Sequence, residues 1–179
     1  QEGDDIILLG SAREDLGGSE YLKVMHAREQ GSPPYLSFDT EQALHDCLLS
    51  LIRDGLLQSA HDCSDGGLAV TLAESCISGP GQLLGAVVQL SRGRLRKDAM
   101  LFGESQSRVV ISSQSTHRQT ILDQARRFGV PAEMIGSVTG ARLTVHLREG
   151  ASAESVIDQP VTALYDQWAC SLERAVHHA

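Results

Sequence analysis

AHDCSDGGLAVTLAE, residues 60–74, decides the fold reading because it runs a strand end through a polar turn into an apolar-faced helix. Ser59, Ala60 and His61 close a short strand, and Leu68, Ala69, Leu72, Ala73 and Cys76 then recur at helical spacing. Between them Asp62, Ser64 and Asp65 crowd the turn, and Gly66 and Gly67 let backbone approach whatever sits there. Two readings of this turn stand. In one, Ser64 or Asp65 is an N-cap whose oxygen accepts from an orphan N–H. In the other, the N–H groups of the glycine-rich helix start hold an anion, or Asp62 and Asp65 bind a hard cation that accompanies a phosphate. Taken alone, so short a motif favours the cap.

Upstream, Ile6 to Leu9 read as a strand, and Gly17 and Gly18 form a turn before Ser19, which caps a short helix holding Tyr21, Leu22 and Met25. After Gly31, Pro33 and Pro34 comes the clearest helix, with Ala43, Leu44, Cys47, Leu48, Leu51 and Ile52 on one face. Asp39 with Gln42 suggests a capping-box variant there, and Gly55 a stop. Downstream, Gly79, Pro80 and Gly81 end the motif helix. A strand carrying Leu84, Ala86, Val88 and Leu90 follows, expected to be buried on both faces. Arg92, Arg94, Arg96 and Lys97 read as a solvated basic loop in preference to a phosphate-facing one.

Val109 to Ile111 form another strand. Thr116 with Gln119 opens a helix along Ile121, Leu122, Ala125 and Phe128, which Gly129 closes. Met134 to Val138 and Leu143 to Leu147 read as a hairpin turning at Gly140. Pro160 suits a first helical position, and Val161, Leu164, Tyr165, Trp168 and Leu172 line the final helix. The irregular interleaving predicts an α+β domain: a mixed, mainly antiparallel sheet with helices packed on it.

The chain has 179 residues, 41% hydrophobic, enough for one domain with a sizeable core. A formal charge of −8 argues against nucleic acid or an anionic membrane as the main partner. Cys47, Cys63, Cys76 and Cys170 lack zinc-site spacing and read as small buried hydrophobes. No apolar run approaches a membrane span and nothing resembles a signal peptide, so a cytoplasmic setting is expected. The opening QEGDDIILLG looks like the middle of a longer chain.

A second constellation lies in FGESQSRVVISS, residues 102–113. Glu104 suits ligand hydroxyl or amide donors, Ser105 lies beside it, Gln106 donates and accepts, and Arg108 offers a fork for phosphate or carboxylate. The bland alternative is a solvated loop with an Arg108–Glu104 ion pair. His61 beside Asp62 reads as structural in preference to a base or metal ligand, and His177 and His178 as a frayed terminus. No nucleophile with its base is evident, which argues against covalent hydrolase chemistry and leaves no catalytic residue assigned.

Together, GGSEYLK at residues 17–23, AHDCSDGGLAVTLAE at 60–74 and LFGESQSRVVIS at 101–112 resemble the family of phosphoribosylformylglycinamidine synthase synthetase subunits. More narrowly, the chain resembles their second carboxy-terminal domain, a type shared with aminoimidazole ribonucleotide synthetase, selenophosphate synthetase and thiamine-monophosphate kinase. The resemblance implies a single domain over 1–179, with a helical extension at 155–179, belonging to a longer ATP-dependent ligase of purine biosynthesis. That enzyme converts formylglycinamide ribonucleotide and glutamine-derived ammonia to the amidine, using ATP and magnesium. It also implies a glutaminase partner and a small bridging subunit. The amino-terminal domains carry most ATP and magnesium ligands, so the fragment is expected to hold no cofactor tightly and to be inactive alone. By the same resemblance the ligand-facing set is Asp62, Ser64, Asp65, Gly66, Gly67, Glu104, Ser105, Gln106 and Arg108, with the metal ligands undetermined. In the family the ribonucleotide-gripping Glu-Ser-Gln belongs to the first carboxy-terminal copy, so a pseudo-symmetric, auxiliary or structural role stays open here. Cys63 stands where the family usually carries valine. The alternatives are a domain-pairing module of that enzyme, or the same domain of a sister enzyme. A homodimer through sheet pairing is compatible with either.

Overall fold

The structure is a computed structural model, and it describes residues 1–79, 82–91, 93–171 and 176. Its innermost strand is β1 (Asp5–Leu9), buried along its whole length. Strand alternation explains this: Ile6 and Leu8 enter one core, Ile7 and Leu9 another on the opposite face. The remaining strands are β2 (Ser59–Asp62), β3 (Ala86–Ser91), β4 (Val109–Ser113), β5 (Ala132–Val138), β6 (Arg142–Glu149) and β7 (Ser152–Pro160). They form one seven-stranded sheet in the order β2-β4-β1-β5-β3-β6-β7, with β3 and β6 parallel and every other neighbouring pair antiparallel.

The helices are α1 (Glu20–His26), α2 (Phe38–Arg53), α3 (Gly67–Ile77), α4 (Lys97–Phe102), α5 (Arg118–Arg127) and α6 (Val161–Ala169). Leu68, Leu72 and Cys76 of α3, Met100 and Leu101 of α4 and Val161 of α6 cover Ile6, Leu8, Val88, Val110 and Val145. Leu44, Cys47 and Leu51 of α2, with Ile121 and Ala125 of α5, cover Ile7, Leu9 and Ile111. Each fully buried Leu or Ile contributes about 1.5–3 kcal/mol. The expected α+β architecture is therefore the observed one.

Several local expectations are overturned. Residues 132–138 and 142–149 are not a hairpin, because β3 lies between them, antiparallel to β5 and parallel to β6. The turn at Gly140 instead bonds to the start of β3: Gly85 donates to Gly140 O at 2.8 Å and Thr139 donates to Gly85 O at 2.9 Å. The stretch 155–179 is not wholly helical, since β7 runs to Pro160 and pairs with β6. β7 lies at the sheet edge, mostly exposed, so it carries no apolar alternation to read. β3 is buried on one face only, with Gln89 exposed, because α2 and α5 cover the β1–β4 side instead.

Ser37, not Asp39, caps α2, accepting from the Thr40 N–H at 3.3 Å. α5 follows a 3-10 turn (Ser115–His117) without a side-chain cap, so Thr116 does not open it. Pro160 is the N-cap of α6 and precedes its first helical residue. On α6, Val161 is buried while Tyr165 and Trp168 are exposed. Readings placed on Pro80, Gly81, Arg92, Leu172, His177 and His178 lie outside the described residues. No described helix is long and apolar enough to cross a membrane.

Candidate functional site

The three motifs read from the sequence meet around the turn at residues 103–107. Glu104 is the junction: its Oε1 accepts from the Gly66 N–H at 2.8 Å and from the Glu20 N–H at 2.9 Å. Glu20 is the first residue of α1, where an orphan N–H and the helix dipole both favour a carboxylate. Tyr21 of the same helix stacks on Phe102 with ring centroids 5.0 Å apart. Cys63 donates its N–H to Arg108 O at 2.9 Å, so the Asp-Cys-Ser-Asp turn is stitched to the far end of the same segment.

The glycines make this approach possible. Gly66 is the N-cap of α3 at φ 77° with no side-chain cap, and Gly67 follows at φ 65°. A Cβ on Gly67 would lie 2.5 Å from Gly103 O and 2.9 Å from Phe102 C. The N-cap reading for Ser64 or Asp65 is thus corrected. The turn takes left-handed backbone that only glycine adopts freely, and its N–H is met by Glu104 from elsewhere in the chain.

Ser105 is buried, and its hydroxyl accepts from the Arg13 N–H at 3.0 Å. Arg108 is buried as well, with Nε donating to Ser105 O at 3.1 Å and Nη2 to Gly103 O at 2.5 Å. These are backbone partners, so the guanidinium does not make the surface pair with Glu104 that a solvated loop would form. Gln106 is exposed and donates to Glu104 O at 3.3 Å. Ser107, at φ 60°, bonds to Glu41 of α2. Asp62, Ser64 and Asp65 are exposed beside this framework. The sequence set therefore separates into an exposed group (Asp62, Ser64, Asp65, Gln106) and an inner group (Gly66, Gly67, Glu104, Ser105, Arg108).

Residues 13–15 escaped the sequence reading. Asp15 accepts the Glu104 N–H at 2.9 Å through its carbonyl. With Glu14, Gly17, Leu22 and residues 30–33 it lines a cavity of about 510 Å³ beside the junction. Only the adjacent Gly17 and Gly18 signalled this loop. A second cavity of about 510 Å³, between α3 and the sheet, is lined by Leu72, Cys76, Ala86 and Val110 and by none of the inner or exposed site group. Volume alone does not mark the site.

His61 is half-buried, with Nδ1 2.9 Å from Asp62 O and Nε2 3.5 Å from Glu74 Oε2. Among the described residues no three His, Cys, Asp or Glu side chains are grouped to hold a metal ion. Asp62 and Asp65 thus offer at most part of a cation site. In the basic stretch, Arg94 is exposed, and Arg96 and Lys97 form surface pairs with Asp98 and Glu154. Burial pushes the Cys63 thiol above its ordinary range and that of Cys76 up to about 11, and buried thiols of this kind are unreactive at neutral pH.

The family described as AIR synthase related protein, C-terminal domain, matches residues 1–148. A phosphoribosylformylglycinamidine synthase subunit PurL from Alkaliphilus metalliredigens is 36% identical over 173 residues, 97% of this chain and 22% of the relative. Its counterpart from Moorella thermoacetica is 44% identical over 147 residues, 82% of this chain and 20% of the relative. The chain spans about a fifth of the length of these curated relatives. Among solved structures, T. maritima PurL complexed with FGAR superposes with a TM-score of 0.75 at 22% identity, covering 92% of this chain and 28% of that one. That likeness supports the fold.

Proposed function

The chain belongs to the AIR synthase related protein family as its C-terminal domain, and from that membership we infer that it serves a phosphoribosylformylglycinamidine synthase. The parent enzyme would convert formylglycinamide ribonucleotide and ammonia to the amidine, with ammonia delivered by a glutaminase partner and a small bridging subunit in the cytoplasm. ATP, with magnesium, supplies the phosphoryl group that makes the amide oxygen displaceable. The observation that carries this reading is the convergence of all three motif segments on Glu104.

In this reading the domain provides one wall of an interdomain ligand cleft. Asp62, Ser64, Asp65 and Gln106 face the ligand, and the backbone of Gly66 and Gly67 lets it approach. Gly66, Gly67, Glu104, Ser105 and Arg108 fix the wall. In this reading the nucleotide and magnesium are held mainly by other domains of the parent enzyme. Catalysis by such a wall is positioning and electrostatics, which is what phosphoryl transfer demands.

A domain-pairing role has its own support. Val24, Met25, Tyr35, Leu36 and Phe38 are all exposed, Phe38 at 80%, around α1 and the start of α2. Such residues suit contact with another domain of the parent chain or a second copy.

The test is turnover by the full-length protein that carries this domain. Amidine formation from formylglycinamide ribonucleotide, ATP, magnesium and ammonia is expected. Turnover of a sister enzyme's substrate in its place would transfer the domain to that sister.

A further inference from the structure

Arg108 is 2% exposed and heads the fully buried side chains by volume, although it carries a charge. Its guanidinium folds back on the turn that precedes it. Nε holds Ser105 O and Nη2 holds Gly103 O, so one planar fork fixes the carbonyls on both sides of Glu104. The Glu104 N–H is pinned separately, by Asp15 O at 2.9 Å. Among the described residues, Nη1 is buried without a hydrogen-bond partner, and so is Asp15 Oδ2. Burial disfavours the charge on Arg108, while the nearby Asp15 carboxylate acts to support it.

We propose that Arg108 is the positioning residue of the candidate site: by fixing the carbonyls of Gly103 and Ser105 it orients Glu104, and through Glu104 it sets α1 against the Asp-Gly-Gly turn. Its hydrogen bonds among the described residues go to the backbone of the turn. The remaining freedom of the turn is removed at Ser107, whose hydroxyl is held by Glu41. Any catalytic consequence rests on the function proposed above, but the positioning itself does not.

Hydrogen exchange followed by mass spectrometry on the full-length protein tests this, comparing Arg108→Lys, Glu104→Ala and the double variant. Lysine keeps the charge without the fork. Exchange at residues 17–23 and 63–68 should accelerate about tenfold in either single variant, with β6 and β7 unchanged. The double variant should add nothing further there, because Arg108 acts through Glu104. Unchanged exchange at both segments in Arg108→Lys, or additive increases in the double variant, overturns the proposal. Should Arg108→Lys not fold, Arg108→Met, which removes charge and fork together, takes its place with the same two outcomes. Exchange needs no turnover, so a parent protein that forms no amidine would sink the proposed function and leave this result standing.

Discussion

Glu104 Oε1 bonds to the Gly66 N–H across 38 residues of chain and to the Glu20 N–H across 84. One carboxylate oxygen thus joins the start of α1 to the glycine turn before α3. Replacing Glu104 with alanine leaves both N–H groups without that acceptor. Urea denaturation should show a loss of about 1.5–3 kcal/mol, the range for hydrogen bonds to charged groups. Glu104→Gln, whose amide oxygen still accepts, should lose less.

Gly67 and Gly140 share a positive φ, 65° at each, but differ in surroundings. At Gly67 a Cβ meets the carbonyl oxygen of Gly103, and at Gly140 it meets nothing within 4 Å. Gly140→Ala should therefore cost only the left-handed penalty, about 1–2 kcal/mol. Gly67→Ala should cost about 1–3 kcal/mol more from overpacking and should also separate the two motif turns. Paired thermal melts measure the difference.

The sequence made the sheet-and-helix architecture legible because β1, β4, α2 and α3 carry dense apolar patterns that local periodicity reports. It failed where long-range pairing decides. Nothing in residues 132–149 says that β3 threads between β5 and β6, and β7 lies on a polar edge without alternation. The site shows the same division. Asp65 and Gln106 were recognisable as exposed polar groups on turns and Asp62 as one at the end of a strand, whereas the bonding of Glu104 was not, because its partners are backbone N–H groups that carry no residue identity. Ser64 and Asp65 looked like caps only because capping is judged from neighbours in sequence.

Burial raises the Cys76 thiol from an ordinary 9.0 to about 11, so the folded state binds more protons than the unfolded state between those values. Stability from this group is fully present below pH 9 and is lost as pH rises toward 11. Comparing stability against pH for the parent sequence and Cys76→Ala should show a shallower alkaline decline in the variant. At neutral pH, a thiol-alkylating reagent should label Cys170 before Cys47, Cys63 or Cys76, which are buried.

Arg118 grips Asp5 with Nε at 2.6 Å and Nη2 at 2.7 Å, and Asp5 is 3% exposed at the end of β1. Arg118→Ala leaves that buried carboxylate without its fork. A lower unfolding midpoint is expected by denaturant titration, moderated by solvent screening on the Arg118 side, with ligand binding unchanged because α5 lies on the opposite face of the sheet from α3.

The claim that the motif turns face a working ligand cleft is tested most directly by steady-state kinetics of Asp65→Ala in the full-length protein that carries this domain, assayed for the proposed amidine formation. Asp65 is exposed and makes no packing contribution to the core. The predicted result is a fall in kcat/KM of about tenfold or more, with the unfolding free energy unchanged to within about 0.5 kcal/mol. Kinetics identical to the parent enzyme, at unchanged stability, would contradict the account and leave the convergence on Glu104 a structural joint.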